Sequence, residues 1–258
     1  MKNIRLCVKF FPVFYLLSIS ILLIGKPEIY KNLFSFEQIV EWIQFYFYLI
    51  AAAIGFITYL KLRKKSLKKH QVLVFLFSLG CFFIAGEEIN WGQLVMDSPA
   101  PDIFQRLNTQ AQTNIHNLDV FQDKIHLIYI VIGLYGGLSW MLKRFIEKND
   151  YREFLFVDRL YALYFIPVSF FYFYLDYINP LNIFVIGNHQ EVFETLLSLG
   201  FFLVSMSNYH KTKLLTPEVV ELFGIRTNRL LVSIYVLAAL VTGTGSWIYL
   251  KIYNYSIS

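Results

Sequence analysis

Long apolar segments alternate with short polar connections along the 258 residues of the chain. Each segment is long enough to cross a hydrocarbon core about 30 Å thick as an α-helix. The segments lie at 9–25, 39–61, 71–94, 122–142, 158–176, 190–207 and 229–251. This pattern predicts an all-α fold: a polytopic transmembrane helix bundle of about seven transmembrane helices, forming one integral membrane domain over residues 1–258.

Local signals modify three of these segments. Lys2, Arg5 and Lys9 precede the first apolar run as they would in a signal peptide, but no small-residue cleavage site follows, so we expect a retained first helix. Pro167 interrupts the fifth segment. Residues 176–190 are rich in Asn, Pro and Gly, which predicts an irregular connection before the sixth segment.

Composition agrees with a membrane protein, because 57% of the residues are hydrophobic and only 16% are charged. Of the 23 Lys and Arg residues, 18 lie at the N-terminus or in every second connection. The five on the other side are Lys26, Lys31, Arg106, Lys124 and Lys251. The positive-inside rule therefore predicts a multi-pass membrane protein with its N-terminus cytoplasmic and its C-terminus outside. The net charge of +5 follows from this topology, so membrane lipids and no nucleic acid are the expected partners.

One polar stretch, Gly86-Glu87-Glu88-Ile89-Asn90-Trp91-Gly92-Gln93, follows an apolar run with no turn signal between them. A helix that starts near Gln71 would carry Glu87 roughly 24 Å across the bilayer, which is still within the hydrocarbon core. Ionisable groups at such a depth usually face a bundle interior or a wet cavity. Further polar clusters occur at the same predicted outer level, and this convergence predicts a shared cavity.

The connection 102–118 fits two patterns. Apolar residues spaced by three and four predict a short interfacial or re-entrant helix between helices 3 and 4; they are Phe104, Leu107, Ala111, Ile115 and Leu118. Strict alternation of polar residues from Asn108 to His116 would instead suit an extended segment. The apolar stripe favours the helix. In either case the amides could satisfy backbone groups left open where the chain dips into the bilayer.

Several chemical roles are open to these residues. Glu87 or Glu88 could act with His116 as a general acid and base. A divalent metal such as zinc is a second possibility, with His126, Glu191 and Glu194 joining Glu88 and His116 as ligands, although no compact metal motif is present. The structural alternative pairs Glu87 or Glu88 with Lys124 or Arg106. The polar residues expected to contact a substrate are Asn90, Trp91, Gln93, Gln112 and Asn117.

The run from Gly86 to Gln93, followed by Asn108-x-Gln110-x-Gln112-x-Asn114-x-His116-Asn117, resembles a family of uncharacterised bacterial multi-pass membrane proteins. That family carries Gly-Glu-Glu-Ile-Ser-Trp-Gly-Gln and a later Asn-Leu-His-Asn. Here Asn90 replaces the serine and Gln112 stands where a glutamate is common, which argues against a nucleophile at position 90. A weaker, architectural resemblance is to the alkaline ceramidase and adiponectin-receptor hydrolases, which hold zinc with three histidines, but their C-terminal paired-histidine motif is absent.

Three functions remain open at this stage. The first is a membrane-embedded hydrolase or transferase that acts at the outer face on a lipid or lipid-linked substrate. The second is a transporter or a proton-coupled or ion-coupled carrier. The third is a non-catalytic scaffold or assembly subunit. A carrier would be expected to place polar groups near the membrane centre on several helices, and the first, second and seventh segments offer almost none, which favours the enzyme.

Overall fold

The computed structural model describes residues 2–34, 39–63, 68–96, 98–108, 110–146, 150–178 and 183–215. Within these ranges the regular secondary structure is helical, and the only β-type pairing is an isolated antiparallel bridge between Asn108 and Leu118. Ten α-helices occur in the described ranges: α1 Lys2–Gly25, α2 Pro27–Leu33, α3 Ile39–Arg63, α4 Lys68–Glu88, α5 Gln93–Met96, α6 Asp102–Leu107, α7 Asp119–Leu142, α8 Asp150–Leu155, α9 Ala162–Phe173 and α10 Ile183–Leu215.

Six stretches of the described residues are long and apolar enough to cross a membrane. They are Ile4–Gly25, Ile39–Arg63, Lys68–Glu88, Lys124–Phe145, Tyr151–Ile178 and His189–Thr212. They match the first six predicted segments, which confirms an all-α, multi-pass membrane bundle. The seventh predicted segment, 229–251, lies outside the described residues.

Small residues allow neighbouring helices to approach closely. A Cβ added to Gly55 of α3 would lie 2.9 Å from the Cβ of Ser78 in α4, and Ser78 Oγ donates a hydrogen bond to the Ala52 carbonyl at 2.7 Å. Similarly, a Cβ on Gly133 of α7 would lie 2.8 Å from the carbonyl oxygen of Phe165 in α9. Such contacts are typical of helix pairs in membranes. The fold therefore contains two tight pairs, α3 with α4 and α7 with α9.

The long helix α10 connects the two pairs. It has the most deeply buried span of the six, whereas α1 is largely exposed. Ser205 Oγ of α10 donates to the Ala51 carbonyl of α3 at 2.7 Å. On its other side, a Cβ on Gly200 would lie 2.9 Å from the ring of Phe165. Packing on both sides thus fixes α10 between the pairs.

Helices α3, α7 and α10 begin at the end of the bundle where α4 and the π-helical turn Tyr174–Ile178 end. We call this the site end. At the opposite end, Lys143 contacts Glu153 at 3.1 Å and Asp158 at 2.8 Å, and Lys211 contacts Asp158 at 3.1 Å. These ion pairs connect the end of α7 and α10 to α8 and to the segment between α8 and α9.

Three local predictions need correction. The predicted interfacial helix exists only as α6, because Asn108 and residues 110–118 are irregular. Pro167 does not end the fifth helix, since α9 continues through it to Phe173. Residues 183–190, predicted as part of an irregular connection, are the first turns of α10.

The structure divides into two units, Met1–Thr212 and Lys213–Ser258. The site end lies within the first unit. Residues 216–258 lie outside the described residues, so the expectation of a single domain over 1–258 stays a prediction.

Candidate functional site

A cavity of about 540 Å³ opens at the site end, between α4, the loop 108–118, α7 and α10. It contains nine of the eleven residues singled out from the sequence: Glu87, Glu88, Asn90, Gln112, His116, Asn117, His126, Glu191 and Glu194. Trp91 and Gln93 are not among its lining residues. The predicted convergence on one shared cavity is therefore confirmed, whereas the chemical roles assigned to these residues stay predictions.

A left-handed turn follows α4. Asn90, Trp91 and Gly92 have φ angles of 50°, 52° and 94°, a region that residues other than glycine seldom adopt. Asparagine tolerates this conformation better than most residues, and glycine adopts it at little steric cost. Strained backbone of this kind persists only where the surroundings hold it in place. Here the turn reverses the chain so that the segment after α4 can fold back over the cavity.

The Glu87 carboxylate holds the loop against the end of α4. Its Oε2 accepts hydrogen bonds from the backbone N–H groups of Ile115 at 2.7 Å and His116 at 3.0 Å. The same oxygen lies 3.2 Å from His116 Nδ1, and Oε1 accepts a bond from Trp91 Nε1 at 2.5 Å. Glu87 is only 5% exposed, so these four donors compensate for its burial. The structural role considered for Glu87 is present, but the predicted partners Lys124 and Arg106 were wrong.

Trp91 and Gln93 secure the same fold-back. The Trp91 ring covers Gly86, where an added Cβ would lie 2.9 Å from ring carbons, so the helix needs glycine at this position. Gln93 Oε1 accepts a hydrogen bond from the Thr113 backbone N–H at 2.7 Å. The structure thus shows both side chains in contacts within the protein, and their expected contact with a substrate stays a prediction.

Amide side chains bind the loop to itself and to the turn. Asn114 Nδ2 donates to Asn90 Oδ1 at 2.6 Å and to Gln112 Oε1 at 3.0 Å. Asn108 Nδ2 donates to Asn114 Oδ1 at 2.8 Å, while Asn108 Oδ1 accepts from the Gln112 backbone N–H at 3.2 Å. Asn117 Nδ2 donates to Gln112 Oε1 at 3.1 Å. These amides therefore satisfy backbone and one another, as the structural interpretation of the loop expected.

Glu88 differs from every other polar residue of the motif. Its side chain lines the cavity and is partly exposed there. It makes no hydrogen bond or ion pair with any described residue. The neighbouring motif positions are all accounted for by the fold-back, so Glu88 is the one whose polar group is left to face the cavity.

His116 presents a second open group to the cavity. Glu87 Oε2 lies beside Nδ1, and accepting a proton from it would leave the Nε2 lone pair available. Nε2 has no hydrogen-bond partner among the described residues, and the side chain is 35% exposed. A carboxylate that orients a histidine in this way is the arrangement used in general-base catalysis.

The far wall of the cavity carries two more carboxylates, both held by partners. Gln44 Nε2 donates to Glu191 Oε2 at 2.9 Å. Tyr172 donates its hydroxyl proton to Glu194 Oε1. The Tyr172 ring is fully buried and stacks on Tyr129 with 4.6 Å between ring centroids.

His126 is engaged at both ring nitrogens. Its Nδ1 lies 2.7 Å from Asp176 Oδ1, in the π-helical turn, and Gln190 Nε2 donates to its Nε2 at 3.1 Å. The ring also packs on Tyr172, 4.8 Å between centroids. His126 therefore joins α7 to the end of the α9 segment and the start of α10.

Sequence reasoning missed Gln44, Tyr129 and Tyr172. Gln44 could have been noticed, because it is an isolated amide within the apolar run 39–61. The two tyrosines gave no signal, since the chain has 18 of them. The predicted metal ligands share the cavity, yet no group of three or more His, Cys, Asp or Glu side chains in the described ranges is arranged to hold a metal ion.

Charge at the cavity is unbalanced. Five glutamates line it: Glu41, Glu87, Glu88, Glu191 and Glu194. Among the described lining residues, Lys124 is the sole lysine or arginine. The site end is thus acidic and lies beside apolar helix surfaces.

These features define a multi-pass membrane protein with a buried carboxylate and histidine site at one end of its bundle. Comparison with protein-family models, with curated proteins and with solved structures gives no match.

Proposed function

We propose that this protein is a membrane-embedded hydrolase or transferase that acts on a lipid or lipid-linked substrate at the outer face of a bacterial plasma membrane. The site end is the outer end in this proposal, with the N-terminus cytoplasmic and the C-terminus outside. The uneven division of basic residues supports this orientation. Membership of the family with the Gly-Glu-Glu-Ile-Ser-Trp-Gly-Gln run is part of the same proposal.

The observation that carries the proposal is the shared cavity of Glu88 and the Glu87–His116 pair. A carboxylate with no partner among the described residues is costly at such a depth, and packing alone would be served better by an apolar residue. Glu88 therefore has a role outside the fold. With His116 it provides the two groups that acyl or phosphoryl transfer commonly needs.

The two groups divide the chemistry as follows. His116 Nε2 accepts a proton from an attacking water or alcohol, while Glu87 holds Nδ1 and stabilises the ring as it becomes charged. Glu88 in its protonated form gives a proton to the leaving oxygen. Each proton taken up by one group is matched by one released from the other.

The test is complementation of a deletion strain, with membrane lipid composition as the phenotype. Glu88→Gln keeps shape and stability, so we expect an inserted, folded protein that fails to restore the lipid profile. His116→Ala should fail in the same way. Glu28→Gln, an exposed glutamate of α2 that does not line the cavity, is the matched control and should restore it. Full rescue by both site variants would favour the scaffold.

A cation carrier is the second candidate, because five glutamates line the cavity against one lysine. Reconstituted liposomes with a pH-sensitive dye inside and a sodium or potassium gradient test it directly. Flux that disappears in Glu88→Gln, without any change in lipid composition of the deletion strain, would favour the carrier over the enzyme.

Orientation has its own test. Reporter fusions after Lys69 and after Ser98 should report inside and outside respectively. The reverse pattern would move the site end to the cytoplasmic leaflet.

A further inference from the structure

We infer that the cleft between α4 and α7 holds the apolar tail of the substrate, and that Gly80 at its floor sets the length of tail that fits. This inference rests on the proposed function, because the tail must belong to the molecule whose polar end reaches Glu88. The substrate class is a single-tailed or tail-inserting amphiphile, and Gly80 is the residue that limits the length of its tail.

The cavity continues from the polar site into an apolar region. Its α4 wall includes Gly80 and Ile84, and its α7 wall includes Ile128 and Ile132. These residues belong to spans that are long and apolar enough to cross the hydrocarbon core. One continuous space therefore joins carboxylates at its mouth to an aliphatic floor, which matches an amphiphile lying parallel to the helices.

The depth of the cleft follows from helix geometry. Gly80 lies eight residues before Glu88 in α4, and Ile132 lies eight residues after Lys124 in α7. At 1.5 Å per residue, both walls extend about 12 Å below the polar groups. Each wall thus extends about 12 Å from a polar residue of the cavity, and a tail could insert to about that depth.

The cleft is open toward the lipid. Gly80 is exposed, and Ile128 is 49% exposed. Helix α4 is paired with α3, and α7 is paired with α9, so the cleft separates two packed pairs. A tail could therefore enter sideways from the bilayer without leaving the hydrocarbon.

Gly80 has no packing reason to be glycine within the described residues. A Cβ added there meets no heavy atom within 4 Å, in contrast to Gly133, whose added Cβ would collide with α9. Glycine weakens the interior of a helix relative to alanine. Glycine at position 80 therefore leaves space in the cavity that a larger side chain would fill.

The test uses full-length protein in phosphatidylcholine liposomes and alkylamines from octyl to octadecyl that carry a terminal diazirine. An amine head suits the acidic mouth of the cavity. On illumination, chains that reach the floor should crosslink to the peptides containing Gly80 and Ile132, and an excess of the unlabelled amine should compete. In Gly80→Leu, which fills the floor, crosslinking there by the longer chains should fall about tenfold or more. The shortest chains should crosslink to Gly80→Leu as strongly as to the wild-type protein.

Gly25→Leu is the matched control, because an added Cβ at Gly25 also meets nothing within 4 Å and Gly25 does not line the cavity. Gly25→Leu should leave the length profile, meaning the crosslinking yield as a function of alkyl chain length, unchanged. Uncompeted labelling spread equally over the exposed face of α1, or a profile that Gly80→Leu does not alter, would overturn the inference.

The outcome also separates the two proposals. If Glu88→Gln abolishes rescue while Gly80→Leu leaves the profile unchanged, the proposed function stands and the tail cleft is refuted. If Glu88→Gln rescues fully while the length profile depends on Gly80, the cleft binds an apolar tail and the enzyme is refuted.

Discussion

Replacing Glu87 by glutamine removes one hydrogen-bond acceptor from the point where the loop 108–118 joins α4. The carboxylate accepts from Trp91 through one oxygen and from two backbone N–H groups through the other. A glutamine can keep only one oxygen. Its best orientation keeps the oxygen toward the backbone and turns the NH₂ group toward the indole N–H, so two donors face each other.

The cost can be worked out from these contacts. A hydrogen bond to a charged acceptor contributes about 1.5 to 3 kcal/mol, and one to a neutral acceptor about 0.5 to 1.5 kcal/mol. The bonds from the Ile115 and His116 backbone N–H groups should therefore each weaken by about 1 kcal/mol, so loop opening should become easier by about 2 kcal/mol. Since 1.4 kcal/mol corresponds to a tenfold change in an equilibrium constant, this is about a 30-fold increase in the population of the open loop.

Hydrogen exchange measures that population at the two amides concerned. In detergent or nanodiscs, the protection of the Ile115 and His116 backbone N–H groups should fall about 30-fold in Glu87→Gln. Amides in the middle of α10 should keep theirs, because local opening leaves the bundle intact.

The adjacent residue supplies the control. Glu88→Gln changes the same functional group one position along the helix but removes no hydrogen bond to a described residue, so Ile115 and His116 should exchange at the wild-type rate. Unchanged protection in Glu87→Gln would refute the role of this carboxylate in holding the loop.

Two further predictions concern packing and protonation. Gly133→Ala places a Cβ against Ser169, so it should lower the thermal unfolding temperature in detergent, whereas Gly25→Ala, which has open space, should not. Tyr30 is buried and its hydroxyl group is hydrogen-bonded to His189 Nδ1, and burial raises the pKa of Tyr30. Because a raised pKa favours the protonated folded form, its contribution is complete below the ordinary tyrosine pKa of about 10 and decreases above it. The thermal unfolding temperature of the wild type should therefore fall more steeply with pH above about pH 10 than that of Tyr30→Phe.

The helices of the described ranges were largely predictable because the hydrocarbon core demands long apolar runs, and such runs are visible in any single sequence. The ends of the helices were less predictable. The predicted segment 190–207 is the central part of α10, which continues in both directions through polar residues such as His189 and Lys211. Polar residues gave no end signal there, since partners on neighbouring helices satisfy them.

The candidate site was predictable in place and only partly in detail. Convergence of polar residues at one level located the cavity, because helices that alternate in direction bring their ends together. The division of work between Glu87 and Glu88 could not be seen, since it depends on the left-handed turn at Asn90. The loop was predicted as a longer helix because its apolar residues recur at helical spacing. Its path is determined instead by hydrogen bonds from the side-chain amide of Asn108 to Asn114.

The π-helical turn Tyr174–Ile178 also has an evolutionary consequence. A π turn accommodates one residue more than an α turn, so it marks where a single-residue insertion can be absorbed within a helix. Deleting one residue between Tyr174 and Asp176 would restore regular α-helix and rotate Asp176 by about 100° relative to the body of α9. Its bond to His126 would then be lost while the span itself survived. Relatives that share the His126 pairing should therefore keep the length of this turn, and relatives one residue shorter should have changed position 126.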